Sequence, residues 1–308
     1  MFLEIKNLTK KYGDFYAIKD INFSLEKGEL LCLLGPSGCG KSTILKGIGG
    51  FIEVEGNIIL NGKDITHTPP EKRGVATVFQ SLGLFPHMNV IENIKYGLKF
   101  NGTPKNKRDE MAEEMLKTLG LEGFGKRMIN ELSGGQRQRV ALGRSMIVGP
   151  ELLLLDEPLS SLDAKLQKSM RQEIRDFQKK FDITTIFVTH NQEEAFEIAD
   201  KIILLNEGQI MQTGVAKEIY EHPANEFVLE FIGSSNTLED GYARPEDITL
   251  GSGSTKARIK NIIFKGSFTE VILDTEYGNL TAFTMDDEDL KIGDEINIDI
   301  KKEKIDID

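Results

Sequence analysis

The sequence predicts an α/β protein with a mainly parallel sheet, followed by a small all-β module. Three observations lead there. Over residues 1–233, apolar runs of strand length alternate with segments of helical spacing. After Gly233-Ser234-Ser235 the apolar pattern turns to period two and segments of helical length stop. The charge shifts as well: residues 234–308 carry 17 acids against 9 bases, in a chain of 308 residues with net charge −11. A solvated acidic face on a small domain accounts for that asymmetry, which serves as a boundary marker. A chain longer than about 250–300 residues also favours two cores over one.

The elements follow in order. MFLEIKNLTKKYGD at the N-terminus reads as a strand and lacks the basic-then-apolar layout of a signal peptide. Leu30-Leu31-Cys32-Leu33-Leu34 is a buried strand ending at Gly35, with a helix expected from near Lys41. Residues 57–60 and the pair Asn61-Gly62 predict a strand and its turn. From Lys105 to Leu119, Met111, Met115, Leu116 and Leu119 recur at helical spacing, which assigns those methionines to a core. A helix is expected from Gln136 to about Val148, with Ser133 as its N-cap. Leu152-Leu153-Leu154-Leu155 is a buried strand ending in Asp156-Glu157, and Ala164 to Phe181 is a charged amphipathic helix. Ile186-Phe187-Val188 and Ile202-Ile203-Leu204-Leu205 are further buried strands. Beyond residue 233, Val271-Ile272-Leu273 and Ile296, Ile298 and Ile300 alternate between Gly266, Gly278 and Gly293, which predicts a barrel-like β module.

Composition excludes several classes. No apolar stretch approaches the roughly eighteen residues of a membrane-spanning helix. A net charge of −11 argues against a nonspecific nucleic-acid footprint. Cys32 and Cys39 are too few for a disulfide framework and suit a reducing compartment.

Three motifs carry chemistry. Gly35-Pro36-Ser37-Gly38-Cys39-Gly40-Lys41-Ser42 fits G-x-x-x-x-G-K-[ST], with a strand before it and a helix after it. Its glycines let successive N–H groups point at phosphate oxygens, Lys41 reaches the β- and γ-phosphates, and Ser42 is the expected Mg²⁺ ligand. Asp156, at the end of a buried strand, can orient Mg²⁺, and Glu157 beyond it is placed to polarise an attacking water. Ser133-Gly134-Gly135 opens a helix with two glycines, a second anion-ready helix start. One chain has little need of two such starts for one triphosphate, whereas two chains placed head to tail would use both.

On these motifs, and on the string LSGGQRQRVALGR, the chain resembles the ATP-binding-cassette ATPases over nearly all of residues 1–233. The resemblance implies a P-loop NTPase cassette with a mainly parallel core sheet, an antiparallel β subdomain and a helical subdomain at about 85–150. It implies ATP and Mg²⁺ as ligands, with Thr43 completing the phosphate loop. It makes Leu132-Ser133-Gly134-Gly135-Gln136 the signature that clamps the γ-phosphate of ATP held by a partner subunit. Tyr12 matches the residue that stacks on adenine, and Gln80 the glutamine that contacts Mg²⁺ and the attacking water. Asp163, in Ser161-Leu162-Asp163, matches the loop that crosses the dimer interface, and His190 the histidine at the γ-phosphate. Gly143 stands where alanine is usual in that family, at a cost of about 1 kcal/mol inside a helix.

The same resemblance implies partners. These are a second ATPase subunit, most simply an identical one, and membrane permease subunits docking near Gln80–His87 at the cytoplasmic face. An external solute-binding protein acts through the permease, and no nucleic acid is involved. Arg244-Pro245-Glu246-Asp247 with the β-rich segment 234–308 resembles the TOBE-like accessory domain of importer ATPases, abbreviated because that motif follows Gly233 within about ten residues. Residues 64–69 and 77–88 resemble spermidine/putrescine importers most closely, and ferric-iron and phosphonate importers share much of their wording. A soluble cassette protein working on ribosomes or DNA is the alternative class, although such relatives carry two cassettes or long coiled-coil insertions.

Overall fold

The computed structural model describes residues 1–287 and 289–304. The chain divides into two compact units, Met1–Ala216 and Lys217–Asp308.

In the first unit, β1 (Leu3–Tyr12) and β2 (Phe15–Leu25) form an antiparallel hairpin. Then come β3 (Leu30–Leu34), α1 (Lys41–Gly49), β4 (Glu55–Leu60) and β5 (Lys63–Asp64). Asn61 and Gly62 both take positive φ between β4 and β5, the twist that a two-residue hairpin turn requires. β6 (Val75–Val78) precedes a helical segment of α2 (Val90–Lys95), α3 (Lys105–Thr118) and α4 (Gly134–Met146). The chain returns through β7 (Leu152–Asp156), α5 (Ala164–Phe181), β8 (Thr184–Thr189), α6 (Gln192–Ile198), β9 (Lys201–Asn206) and β10 (Gln209–Gly214).

Two sheets result. β2-β1-β4-β5 is antiparallel, while β10-β9-β3-β8-β7-β6 is parallel except at β10. β3, β7 and β8 are buried at every position, which is why they read as continuous apolar runs rather than alternating ones. A shared core joins Ile5 and Ile18 of the antiparallel sheet, Leu33, Leu154 and Val188 of the parallel sheet, and Ile44 and Ile48 of α1. Register then lines up the functional segments: Leu34 sits beside Thr189, Asp156 beside Val188, and Val78 beside Leu155. Four loops therefore leave the sheet at its carboxyl edge, where ligands bind in such sheets.

Gly143 has a packing reason. A Cβ there would lie 2.5 Å from Leu119 Cδ1 and 3.2 Å from Met115 Cγ, so its absence brings the end of α3 close against α4. Close approach offsets the helix propensity that glycine forfeits.

The second unit carries α7 (Ala216–Glu221), α8 (Glu226–Phe231), the hairpin of β11 (Asn236–Leu238) and β12 (Gly241–Ala243), and then β13 (Ile248–Phe264), β14 (Thr269–Thr275), β15 (Gly278–Thr284) and β16 (Glu295–Ile300). The last four form an antiparallel sheet in the order β15-β14-β13-β16. β13 pairs with β16 in two stretches whose register shifts between Leu250 and Thr255. Gly251 and Gly253, at φ 80° and 83°, allow that bend, and a Cβ on Gly253 would lie 2.4 Å from the Ile298 carbonyl oxygen. The curled strand closes over a core of Ile248, Ile259, Val271, Leu273, Leu280 and Ile298.

The boundary expected after Gly233 falls earlier, between Ala216 and Lys217. Arg244 explains the difference. It is 3% exposed, and it donates to the carbonyls of Ile232 at 2.7 Å, Tyr220 and Ser234 at 3.1 Å, and Leu229 at 3.3 Å. Its guanidinium also lies 4.3 Å from the Tyr220 ring centre. One side chain thus ties α7 and α8 to the β unit, a link between distant residues that no local pattern announces. Arg244→Lys, which keeps the charge but loses the planar fork, is expected to destabilise the chain by about 2–4 kcal/mol. A urea melt unchanged from the parent would refute this role.

Candidate functional site

The phosphate loop is shaped by contacts that only glycine permits. A Cβ on Gly35, at φ 152°, would meet the Leu205 carbonyl oxygen at 2.2 Å. One on Gly40, at φ 107°, would meet Ile18 Cγ2 at 2.6 Å and the Ala17 carbonyl oxygen at 2.7 Å. Ser37 and Gly38 stay exposed, Pro36 and Thr43 half-buried, and Cys39 buried as a free thiol. Gly40 caps α1 without a side-chain hydrogen bond, which leaves the first-turn N–H groups open to a ligand.

Lys41 is 4% exposed, and its ammonium donates to the carbonyls of Gly35 at 2.7 Å and Pro36 at 2.8 Å, and to Cys39 Sγ at 3.7 Å. No carboxylate among the described residues pairs with it. A buried cation with only neutral partners, at an uncapped helix start, fits a polyanion.

Ser42 Oγ donates to Asp156 Oδ1 at 3.0 Å. Burial raises the Asp156 carboxyl above the usual range, and the Ser42 hydroxyl only partly offsets it. Two hard oxygens, one of them a carboxylate in need of a counter-charge, suit Mg²⁺, which takes few protein ligands and completes its shell with phosphates and water.

Glu157 sits at φ 43°, a left-handed conformation rare outside glycine, fixed by Glu157 N–H donating to the Val188 carbonyl at 3.1 Å. That turn aims the carboxylate out of the sheet, with Glu157 Oε1 3.4 Å from His190 Nδ1. Beside them lies a cavity of about 80 Å³, with room for water, lined by Glu157, Ser160, Gln167, His190 and Glu194. Gln80 joins through Ser160: its Nε2 donates to Ser160 Oγ at 3.2 Å, and Ser160 Oγ donates to the Glu157 carbonyl at 3.0 Å. Ser160 was not foreseen from the sequence, because a lone serine after a turn carries no motif. Nor was Glu194, 4% exposed, whose carboxyl burial raises and to which Thr189 Oγ1 donates at 2.6 Å.

The signature forms a reciprocal cap. Ser133 Oγ accepts from Gln136 N–H at 3.4 Å, and Gln136 Oε1 accepts from Ser133 N–H at 2.9 Å. Helix α4 starts at Gly134 and ends at Met146, two residues earlier at each end than expected. A Cβ on Gly134 would lie 2.8 Å from Leu162 Cδ2, and one on Gly135 3.1 Å from Leu166 Cδ1, so the glycines seat α4 against the Ser161–Asp163 loop. Asp163 caps α5, its Oδ1 accepting from Leu166 N–H at 3.0 Å. Tyr12 ends β1 and is 53% exposed.

Lys41, Ser42 and Asp156 are thus brought together, as are Glu157, His190, Ser160 and Gln80. Among the described contacts, none joins Ser133–Gln136 to the phosphate loop within one chain.

The pattern of the ABC transporter family matches residues 18–160, and that of the TOBE domain residues 243–305. The chain is 41% identical to the Fe(3+) ions import ATP-binding protein FbpC of Escherichia coli (strain K12), over 89% of this chain and 87% of that protein. It is 41% identical to the spermidine/putrescine import ATP-binding protein PotA of Clostridium acetobutylicum, over 99% and 98% of the two chains. A dimeric ATP-binding cassette in a post-hydrolysis state, bound to ADP and Pi, superposes with a TM-score of 0.62 at 31% identity, covering 70% of this chain and 98% of that one.

Asp156→Asn is expected to raise the melting temperature of the nucleotide-free protein at neutral pH, by removing a buried charge, while abolishing Mg²⁺-dependent hydrolysis. A lower melting temperature with hydrolysis intact would contradict both parts.

Proposed function

This chain belongs to the ABC transporter family as the ATP-hydrolysing subunit of an importer, and we propose that two copies close head to tail over two ATP molecules. It uses ATP and Mg²⁺ and works as a dimer with membrane permease subunits. Among the described residues no helix is long and apolar enough to cross a membrane, so the solute path belongs to those permeases. The observation that carries the head-to-tail reading is the pair of anion-ready helix starts, at Lys41 and Ser133, which no hydrogen bond joins among the described residues.

In this reading the backbone N–H groups of 37–43 and the Lys41 ammonium bind the β- and γ-phosphates, and Tyr12 stacks on the adenine. Ser42, Asp156 and Gln80 would hold Mg²⁺, which would supply charge neutralisation for phosphoryl transfer. Glu157 takes the proton of the attacking water as its oxygen bonds to the γ-phosphorus and the bond to the β-phosphate oxygen breaks. His190 orients the γ-phosphate from the neighbouring strand end. Ser133, Gly134, Gly135 and Gln136 of the partner subunit close the site, and Asp163 lies at the shared interface. Loss of the γ-phosphate removes the ligand that bridges the two chains, which makes closure a switch.

The segment Gln80–His87 presents Ser81, Gly83, Pro86 and His87 to solvent and serves as the permease-docking loop, at the cytoplasmic face of the membrane. A solute-binding protein outside would deliver a polyamine, the solute of the relative that this chain matches over 98% of that relative's length; ferric iron is the second candidate.

Glu157→Gln should lower turnover by about 10²–10⁴-fold, retain ATP binding, and accumulate as an ATP-bound dimer on size exclusion. Turnover at the parental rate would remove Glu157 from the role of base. In vesicles with the permease and binding-protein genes nearest its own, spermidine should stimulate hydrolysis; stimulation by ferric iron alone would reassign the solute.

A further inference from the structure

The docking loop is gripped from the helical segment rather than from the sheet. Arg144, in the last turn of α4, donates from Nη1 to the Gly83 carbonyl at 2.6 Å and from Nη2 to the Leu82 carbonyl at 3.0 Å. Its guanidinium lies 5.3 Å from the centre of the Phe85 ring, which packs 4.5 Å from Tyr96 at the end of α2. Asn93 of α2, fully buried, holds the rest of the loop. Its Oδ1 accepts from Phe85 N–H at 2.8 Å, and its Nδ2 donates to the carbonyls of Phe85 and Asn89 at 3.1 Å and Met88 at 3.2 Å.

The two carbonyls that Arg144 takes are special. Leu82 and Gly83 are consecutive residues in the left-handed region, at φ 61° and 56°. For leucine that conformation is strained, so an outside partner on the two carbonyls helps the turn persist. A planar fork with two parallel donors supplies one, and a single ammonium would not. On the sheet side the turn is closed by Leu82 N–H donating to the Phe79 carbonyl at 2.7 Å, and beyond that only the exposed Gln80–Ser160 hydrogen bond at 3.2 Å reaches out of the loop. The firm attachments therefore run to α2 and α4.

We propose that Arg144 is a positioning residue that makes the docking loop and the signature helix one mechanical body, so that displacement of Leu82–His87 is delivered to Ser133. The helix between them is the lever: Arg144 is at one end of α4 and Ser133 caps the other, about 16 Å apart at 1.5 Å per residue. The identity of what presses on the loop rests on the importer reading above, whereas the coupling itself does not. By reciprocity, ATP engaging the signature must also tighten the loop.

The test has two arms. In hydrogen exchange on the purified full chain, Mg²⁺-ATP should slow the amides of residues 82–88 in the parent. In Arg144→Lys those amides should exchange faster, and the response to ATP should shrink about 5-fold or more, with basal hydrolysis and melting temperature near the parent's. In vesicles with the permeases, the same variant should lose solute stimulation while keeping basal turnover. Arg144→Met, which keeps the stem and removes the fork, replaces Arg144→Lys if that variant does not fold. A parent loop indifferent to ATP overturns the proposal, as does a variant loop that responds like the parent's. A parent without solute stimulation in vesicles counts against the importer reading alone, because the exchange arm still reads the clamp.

Discussion

The buried ammonium of Lys41 organises the first unit of this chain. A positive charge at 4% exposure, hydrogen-bonded only to two carbonyls and a thiol among the described residues, favours an anion beside it. The glycines of the loop follow from that need: Gly35 and Gly40 stand where any Cβ would strike backbone oxygens within 2.7 Å. So does the missing side-chain cap on α1, which leaves its first-turn N–H groups without a side-chain partner. Asp156 is the complement, a carboxylate raised by burial and supported by one hydroxyl. In the proposed reading, Lys41 takes a phosphate and Asp156 a cation, so the two charges complement one ligand.

The sheet turns those charges into a site. Parallel register places the ends of β3, β6, β7 and β8 side by side, so segments separated widely in sequence meet at one edge. The price is local strain: Glu157 and Leu82 both sit in left-handed backbone, each directly beside a segment with a proposed role. Glu157 is held by a carbonyl of β8, and Leu82 by Arg144 of α4.

Much of this was legible in the sequence, because continuous apolar runs, glycine spacing and an N-cap serine are local signals. Leu30–Leu34, Leu152–Asp156 and the helix at Ala164 were readable for that reason, and so was the change of period beyond Gly233. Links between distant residues were not. Arg244 draws α7 and α8 into the second unit and moves the boundary to Lys217. Ser160 bridges Gln80 and Glu157, and Asn93 and Arg144 clamp one loop from two helices. Each of these is a polar side chain meeting a backbone or side-chain partner far away in sequence, and nothing in its neighbours marks it. Gly143 lies between the two cases, since its oddity was visible in the sequence but its cause, Leu119, needed the fold.

The central claim is that one composite site draws its phosphate loop from one chain and its signature from the other. Complementation in mixed dimers tests it directly, with Lys41→Ala and Ser133→Arg placed either in opposite subunits or in the same one. Head-to-tail sites leave one intact composite site when the substitutions are in opposite subunits, and none when they share a subunit. Occluded nucleotide should therefore appear only in the first arrangement. Occlusion only in the second would mean that each chain builds its site from its own signature, and would contradict the account.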